Sequence, residues 1–228
     1  MGAGGSYPGH RATTLTTMVA AARMGRSDEL VAAFDAAVSE GMAVLGFARA
    51  GVRGVQLTDV GRGWLGRKHP TCVLELDLLA VEQALRLGQA DRVLKTWVHE
   101  SVHGRAPFGG PPETGSRGYE EGLAEGIALH VVGKLARVEL VPSDYTYCVA
   151  AYRALAASIG VEAERLWRDL WAHPAGRVRA ALPGVVRGLL GREVERLLVI
   201  GDQLFSDRRL AWTPDPAELA RSWALVLR

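Results

Sequence analysis

The chain has 228 residues, 48% of them apolar, enough to bury the core of one larger domain or of a domain with an appended helical lobe. A net charge of +2, with arginines spread along the chain and lysine confined to Lys68, Lys95 and Lys134, excludes a concentrated basic footprint for nucleic acid or an anionic membrane. Asparagine is absent, which excludes N-linked glycosylation, and no apolar run approaches the about 18 residues that a spanning helix needs.

In chain order, residues 1–26 begin with a glycine-rich stretch and read as a flexible arm. They lack the continuous apolar segment of a secretory signal, so a cytoplasmic setting is expected, or the virion-associated one that a likeness described below implies. Residues 27–49 carry Leu30, Val31, Phe34, Val38, Met42 and Leu45 behind Ser27-Asp28-Glu29, a helical spacing with a good start. From Gly51 to Asp77 the period changes. "VRGVQLTDV" and "TCVLELDLL" read as strands around the turn segment "GRGWLGRKHP", giving a small antiparallel sheet or part of one. Residues 78–87 read as a helix, Gly88 interrupts, and Asp91 offers an N-cap for a helix that runs through His99 and His103 to Gly104. "RAPFGGPPETGSRG" is a loop by its Pro and Gly content. Gly118 to Arg137 is helical, and from Asp144 onward helix follows helix, punctuated at His173-Pro174, Pro183-Gly184 and Pro214. The expected fold class is α+β: a small sheet with helices, then a mostly helical lobe. The divisions are 1–26, 27–140 and 141–228, the last packed on the second as one unit. Cys72 and Cys148 stand singly and read as small buried hydrophobes.

The chemistry concentrates in "TWVHESVHGR", residues 96–105. On a helix, positions i and i+4 differ by about 40° in rotation and about 6 Å in rise, so His99 and His103 point the same way. Two such imidazoles can bind one zinc ion at about 2.0 to 2.1 Å each. Glu100 lies to the side of that face, where a carboxylate can take a proton from a water held by the metal without being a ligand.

A catalytic site of this kind needs a third protein ligand. Between His103 and Lys134 the residues able to ligate are Glu113, Glu120, Glu121, Glu125 and His130. The three-histidine metzincin pattern fails, because Gly109 stands six positions after His103. Aspartate is absent from residues 104–143. A glutamate therefore remains as the third ligand.

The stretch "GYEEGLAEGIALH" resembles the second helix of the gluzincin metallopeptidases, where a glutamate followed by Gly-x-Ala supplies the third ligand. The resemblance covers roughly residues 70–135 and implies a zincin-like fold, with Glu121 as ligand beside His99 and His103. It further implies that Glu125, one turn beyond, accepts the free ring N–H of a ligand histidine; the family often has aspartate there. Glu120, about 100° away from that face, reads as solvated or salt-bridged, and His130 as structural. A fainter likeness is to metallopeptidase-like domains of phage and prophage head-morphogenesis proteins, and it implies a context only.

The resemblance implies a zinc metallopeptidase whose partner is a peptide or protein substrate: Glu100 activates the metal-held water for attack on a peptide carbonyl and then protonates the leaving amine. Tyr119, Tyr145, Tyr147, Tyr152 and His173 are the candidate donors to the oxyanion. The strand "CVLELDL" is a candidate for pairing with an extended substrate. Arg105 and Arg117 flank the loop beside the site, and Trp167 and Trp171 form a hydrophobic stripe. The alternative reading is a zinc-binding structural or interaction protein of a phage or prophage that keeps the fold with little or no turnover.

Overall fold

In the computed structural model, residues 7–48, 51–59, 61, 64–104, 117–136, 140, 145–186, 188–209 and 212–227 are described. Among them the fold is mostly helical α+β, with a three-stranded mixed sheet in the N-terminal part and ten α-helices. The chain divides into two units, residues 1–104 with 131–140, and residues 105–130 with 141–228.

The first unit begins with α1 (Tyr7–Arg23), which replaces most of the expected arm. Leu15, Met18, Val19 and Ala21 are buried, so α1 is held by one apolar face. Arg23 at its end pairs with Asp59 and Glu82, both at 2.8 Å. Next, α2 (Asp28–Val44) buries Val31, Val38 and Met42. It stops short of residue 49 because Gly46 takes a left-handed φ of 89°, a conformation that glycine adopts without strain. Leu30, counted in the expected stripe, is exposed.

The sheet consists of β1 (Gly54–Thr58), β2 (Gly66–Lys68) and β3 (Val73–Asp77) in the order β1-β3-β2. The expectation of an antiparallel sheet is corrected: β1 runs parallel to β3, with Gly54 opposite Val73, and only β2 is antiparallel to it, with Gly66 opposite Leu76. β2 lies inside the segment read as a turn. Its Arg67 faces Glu75 across the pair at 2.6 Å, a cross-strand contact that a turn-rich composition conceals. Alternation places Leu74 and Leu76 in the core. Because β3 is central, both its edges are already hydrogen-bonded, so the expected addition of a substrate strand to it is also corrected. Added strands need a sheet edge.

Asp77 ends β3 and caps α3 (Leu78–Arg86), its carboxylate accepting the N–H groups of Leu79 and Ala80 at 3.0 and 3.1 Å. Gly88, with φ 72°, ends the turn after α3. α4 (Ala90–His103) then starts one residue before the expected cap: Gln89 occupies the N-cap position, and Asp91 sits in the first turn, where its charge suits the helix dipole. Trp97 of α4 is fully buried, its ring tilted 58° to that of Phe34 with centres 4.8 Å apart, and it donates its indole N–H to Asp35 at 2.8 Å.

The long helix α5 (Arg117–Ala136) is followed by α6 (Thr146–Ser158), α7 (Ala163–Trp171), α8 (Val178–Val185), α9 (Arg192–Leu204), a 3-10 turn at Asp207–Arg209, and α10 (Pro216–Leu227). Pro183, expected as a break, lies in the last turn of α8. In the second unit, Phe205 packs against Tyr119 and Tyr152, with ring centres 4.3 and 4.6 Å away. Trp223 donates to the Ala151 carbonyl at 3.0 Å. Cys148 is buried and Cys72 half-buried; both are free thiols, and Cys72 holds a left-handed φ of 63°.

Two glycines of "EEGLAEG" explain why that segment packs as it does. A Cβ at Gly122 would stand 2.7 Å from the Cβ of Cys148, and one at Gly126 would stand 2.7 Å from the buried ring of Trp167. Small residues there let α6 and α7 approach α5. Gly126→Ala is expected to lose about 1–3 kcal/mol to overpacking, outweighing its gain of about 1 kcal/mol in helix propensity. Gly184, in α8 with nothing within 4 Å of its hypothetical Cβ, is the control. Denaturant unfolding should rank Gly126→Ala below the wild type and Gly184→Ala at or above it. Equal stability of the two variants would contradict this packing account.

Candidate metal centre

The helix that carries the H-E-x-x-H residues is buried over most of its circumference: Val93, Leu94, Trp97, Val98, Ser101 and Val102 are all in the core. Its more open stripe is Thr96, Glu100 and His103, half-buried at positions i, i+4 and i+7. His99 is 7% exposed. The helix ends where the Gly104 N–H reaches the carbonyls of Glu100 and Ser101 at 3.2 and 3.1 Å. Glu100, about 100° round the helix from His99 and about 60° from His103, lies to one side of the face that the two histidines share.

His99, His103 and Glu121 come together, with one potential ligand atom from each lying within 4.8 Å of the other two. The two Nε2 atoms are 3.2 Å apart, with the rings edge to face. Nitrogens each about 2.0–2.1 Å from a shared tetrahedral ion lie about 3.3 Å apart, so the histidine pair already has the spacing that a common ion needs. The Glu121 carboxylate completes a set of two imidazoles and one carboxylate, a donor chemistry suited to zinc. The residues present thus fit a metal ion. Glu121 also lies 3.8 Å from Arg117, one turn earlier and 63% exposed. At that separation and exposure the pair contributes little.

The other glutamates fall elsewhere. Glu120, expected to be solvated or salt-bridged, is buried, and its Oε1 accepts the backbone N–H groups of Gly176 and Val178 at 2.7 and 3.3 Å. Nothing in the local pattern signals this bond, because its partners are 56 and 58 residues away. Glu125, one turn beyond Glu121, is 1% exposed. Arg105, Glu113 and the rest of residues 105–116 lie outside the described residues, while Arg117 and Gly118, expected in the loop, open α5. His130 Nδ1 lies 3.4 Å from Glu164, and its ring is within 6.5 Å of Trp167.

Of the candidate oxyanion donors, three tyrosines use their hydroxyls to join helices. Tyr119 donates to Asp202 at 3.1 Å, and burial together with the Asp202 charge raises its pKa far above the ordinary phenol value. Tyr152 donates to the Tyr119 carbonyl at 3.0 Å. Tyr147 donates to Glu218 at 3.2 Å and accepts from Arg209; burial raises its pKa, and Arg209 opposes that shift. Tyr145, at the N-cap of α6 with a left-handed φ of 54°, is half-buried. His173, also half-buried, sits in the turn after α7, its backbone N–H donating to the Leu170 carbonyl at 3.1 Å.

The Arg209–Glu218 pair closes at 2.5 Å, and the hydrogen bond from Arg209 is the main reason the Glu218 carboxyl is held below its usual pKa. A depressed folded-state pKa contributes stability that is fully present above the unfolded value and lost as pH falls through the folded one. In acid unfolding, the stability gap between wild type and Glu218→Gln is expected at neutral pH and should close as pH drops below about 4, the ordinary glutamate range. A pH-independent gap would mean that packing, not charge, sets it.

Among the described residues, no helix is long and apolar enough to cross a membrane. No protein-family model matches the chain, and no curated protein or solved structure matches it either, so the candidate centre rests on the chain's own residues.

Proposed function

We propose that the protein is a zinc-dependent metallopeptidase of the gluzincin type, acting on peptide or protein substrates. The observation that carries this reading is the meeting of His99, His103 and Glu121 within 4.8 Å, with Glu100 directly after the first histidine on the more open side of α4. A structural site has no use for such a base. The motifs H-E-S-V-H-G and E-E-G-L-A-E add the resemblance described above.

Zinc, when bound, supplies a Lewis acid that polarises a carbonyl and acidifies water to a pKa near 7. His99 and His103 would hold it through Nε2, which would leave the ring N–H on Nδ1 of each. Glu121 supplies the third donor and a negative charge. Glu125, buried one turn along, takes a ring N–H of one of the histidines and so fixes its orientation. Glu100 accepts a proton from the attacking water as the new C–O bond forms, then passes it to the amide nitrogen as the C–N bond breaks. One water is consumed, and one carboxylate and one amine end are released.

The test is hydrolysis of a broad peptide library by the zinc-loaded protein and by its Glu100→Gln variant. Cleavage by the first and its loss in the second is the expected result. No cleavage by either, or equal cleavage by both, sinks the enzymatic reading.

A further inference from the structure

We propose that Glu120 is a positioning residue for the metal ligand next to it: by holding the turn before α8, it fixes the first turn of α5 and with it the direction from which Glu121 presents its carboxylate. This rests on the metal-centre reading above.

Glu120 is only 7% exposed, and an ionised carboxylate at that depth is costly unless it is hydrogen-bonded. Its partners include the Gly176 and Val178 N–H groups, at 2.7 and 3.3 Å. Val178 opens α8, where helix geometry leaves amides without intrahelical acceptors, and Gly176 stands in the turn just before the N-cap residue Arg177. The turn they come from is itself closed, with the Arg177 N–H donating to the Pro174 carbonyl at 3.1 Å.

The residues before Glu120 are locked as well. A Cβ at Gly118 would fall 1.9 Å from the Phe205 carbonyl oxygen, so the backbone there lies directly against the end of α9. Tyr119 donates to Asp202, which Arg179 of α8 grips through two bonds of 2.7 and 2.8 Å. The Tyr119 carbonyl accepts from Tyr152. Three consecutive residues leading to Glu121 are thus each fixed by a different contact, at the end of a helix that would otherwise fray. Adjacent helical positions differ by about 100°. Once the amides of residues 176 and 178 set the direction of Glu120, the direction of Glu121 follows, and a ligand must be held to about 0.5 Å and 10–20° to bind well.

Zinc affinity, measured by competition with a chelator at a temperature where every variant is folded, tests the idea. Glu120→Ala, which removes the acceptor, is expected to weaken zinc binding by roughly 10–100-fold, as the loss of an outer partner does. Glu120→Gln keeps a carbonyl oxygen for the two amides and should restore affinity to within a few-fold of wild type. If Glu120→Ala loses metal-free thermal stability but binds zinc like wild type, its role is structural only and the proposal fails. Equal losses in Ala and Gln variants would assign the effect to charge and also overturn it. Should Glu120→Ala not fold, amide hydrogen exchange in the wild type decides: zinc should slow exchange at Gly176 and Val178, and unchanged rates would refute the coupling. A wild-type protein that takes up no zinc removes the metal-centre reading itself, an outcome distinct from all of these.

Discussion

Zinc titrated into the metal-free protein should bind at one site per chain, and His99→Ala, His103→Ala or Glu121→Ala should each weaken that binding by more than the about 100-fold that loss of an outer partner can cost. The spacing of the donors underlies the size of the effect. With the Nε2 atoms 3.2 Å apart, the two imidazoles are already placed for one ion, so little ordering cost is left at binding, and each side chain removed leaves only two of three protein donors. A ligand that binds only the folded state stabilises it by about 2.7 kcal/mol at a hundred times its dissociation constant. For a chain of this length that corresponds to a rise in melting temperature of roughly 5–10 °C. The wild type should show that shift, and the three variants should not. A shift of equal size in His99→Ala and Glu121→Ala would place the metal elsewhere.

Replacement of Glu100 by glutamine should leave zinc binding and metal-free stability near wild type while lowering peptide hydrolysis about 10²- to 10⁴-fold, the contribution of a positioned acid-base group. That corresponds to about 2.7–5.5 kcal/mol of barrier. The separation of the two readouts follows from position. Glu100 is half-buried on the open stripe of α4 and is not one of the three residues whose donor atoms converge, and glutamine matches glutamate in size without being able to accept the proton. Reduced zinc affinity in this variant would make Glu100 a ligand rather than a base. A zinc-loaded wild type that binds metal but cleaves nothing would instead be a metal-binding protein without turnover.

Much of the candidate centre was legible in the chain. The common face of His99 and His103 follows from the 3.6-residue period alone, and α4 forms where its apolar spacing and Gly104 place it. The absence of aspartate and of a third histidine at the right distance left glutamate as the remaining donor type. Among the glutamates the resemblance pointed to Glu121, and the folded chain brings that one to the histidines. Glu120 and Glu121 are adjacent and chemically identical, yet one faces the amides of residues 176 and 178 while the other joins the histidines.

The errors share a cause. β2 was hidden because its three residues carry no alternation of their own and are held by pairing with β3. β1 and β3 gave a clear strand pattern, but alternation says which side chains face the core, not which strand lies beside which or in what direction. Residues 7–23 read as an arm because a glycine-rich start masks the apolar face of α1, which becomes visible only as buried Leu15, Met18 and Val19.

Local rules operate over one helical turn or two strand residues. They were enough for the α+β class and for putting His99 and His103 on one helix face with Glu100 beside it, since backbone geometry determines those without reference to the rest of the fold. Strand order, the approach of Glu121 to the histidine pair and the hydrogen bonds of Glu120 to residues 176 and 178 depend on contacts between segments far apart in the chain. These arise from packing and from the need to satisfy buried polar groups, neither of which leaves a short-range signature.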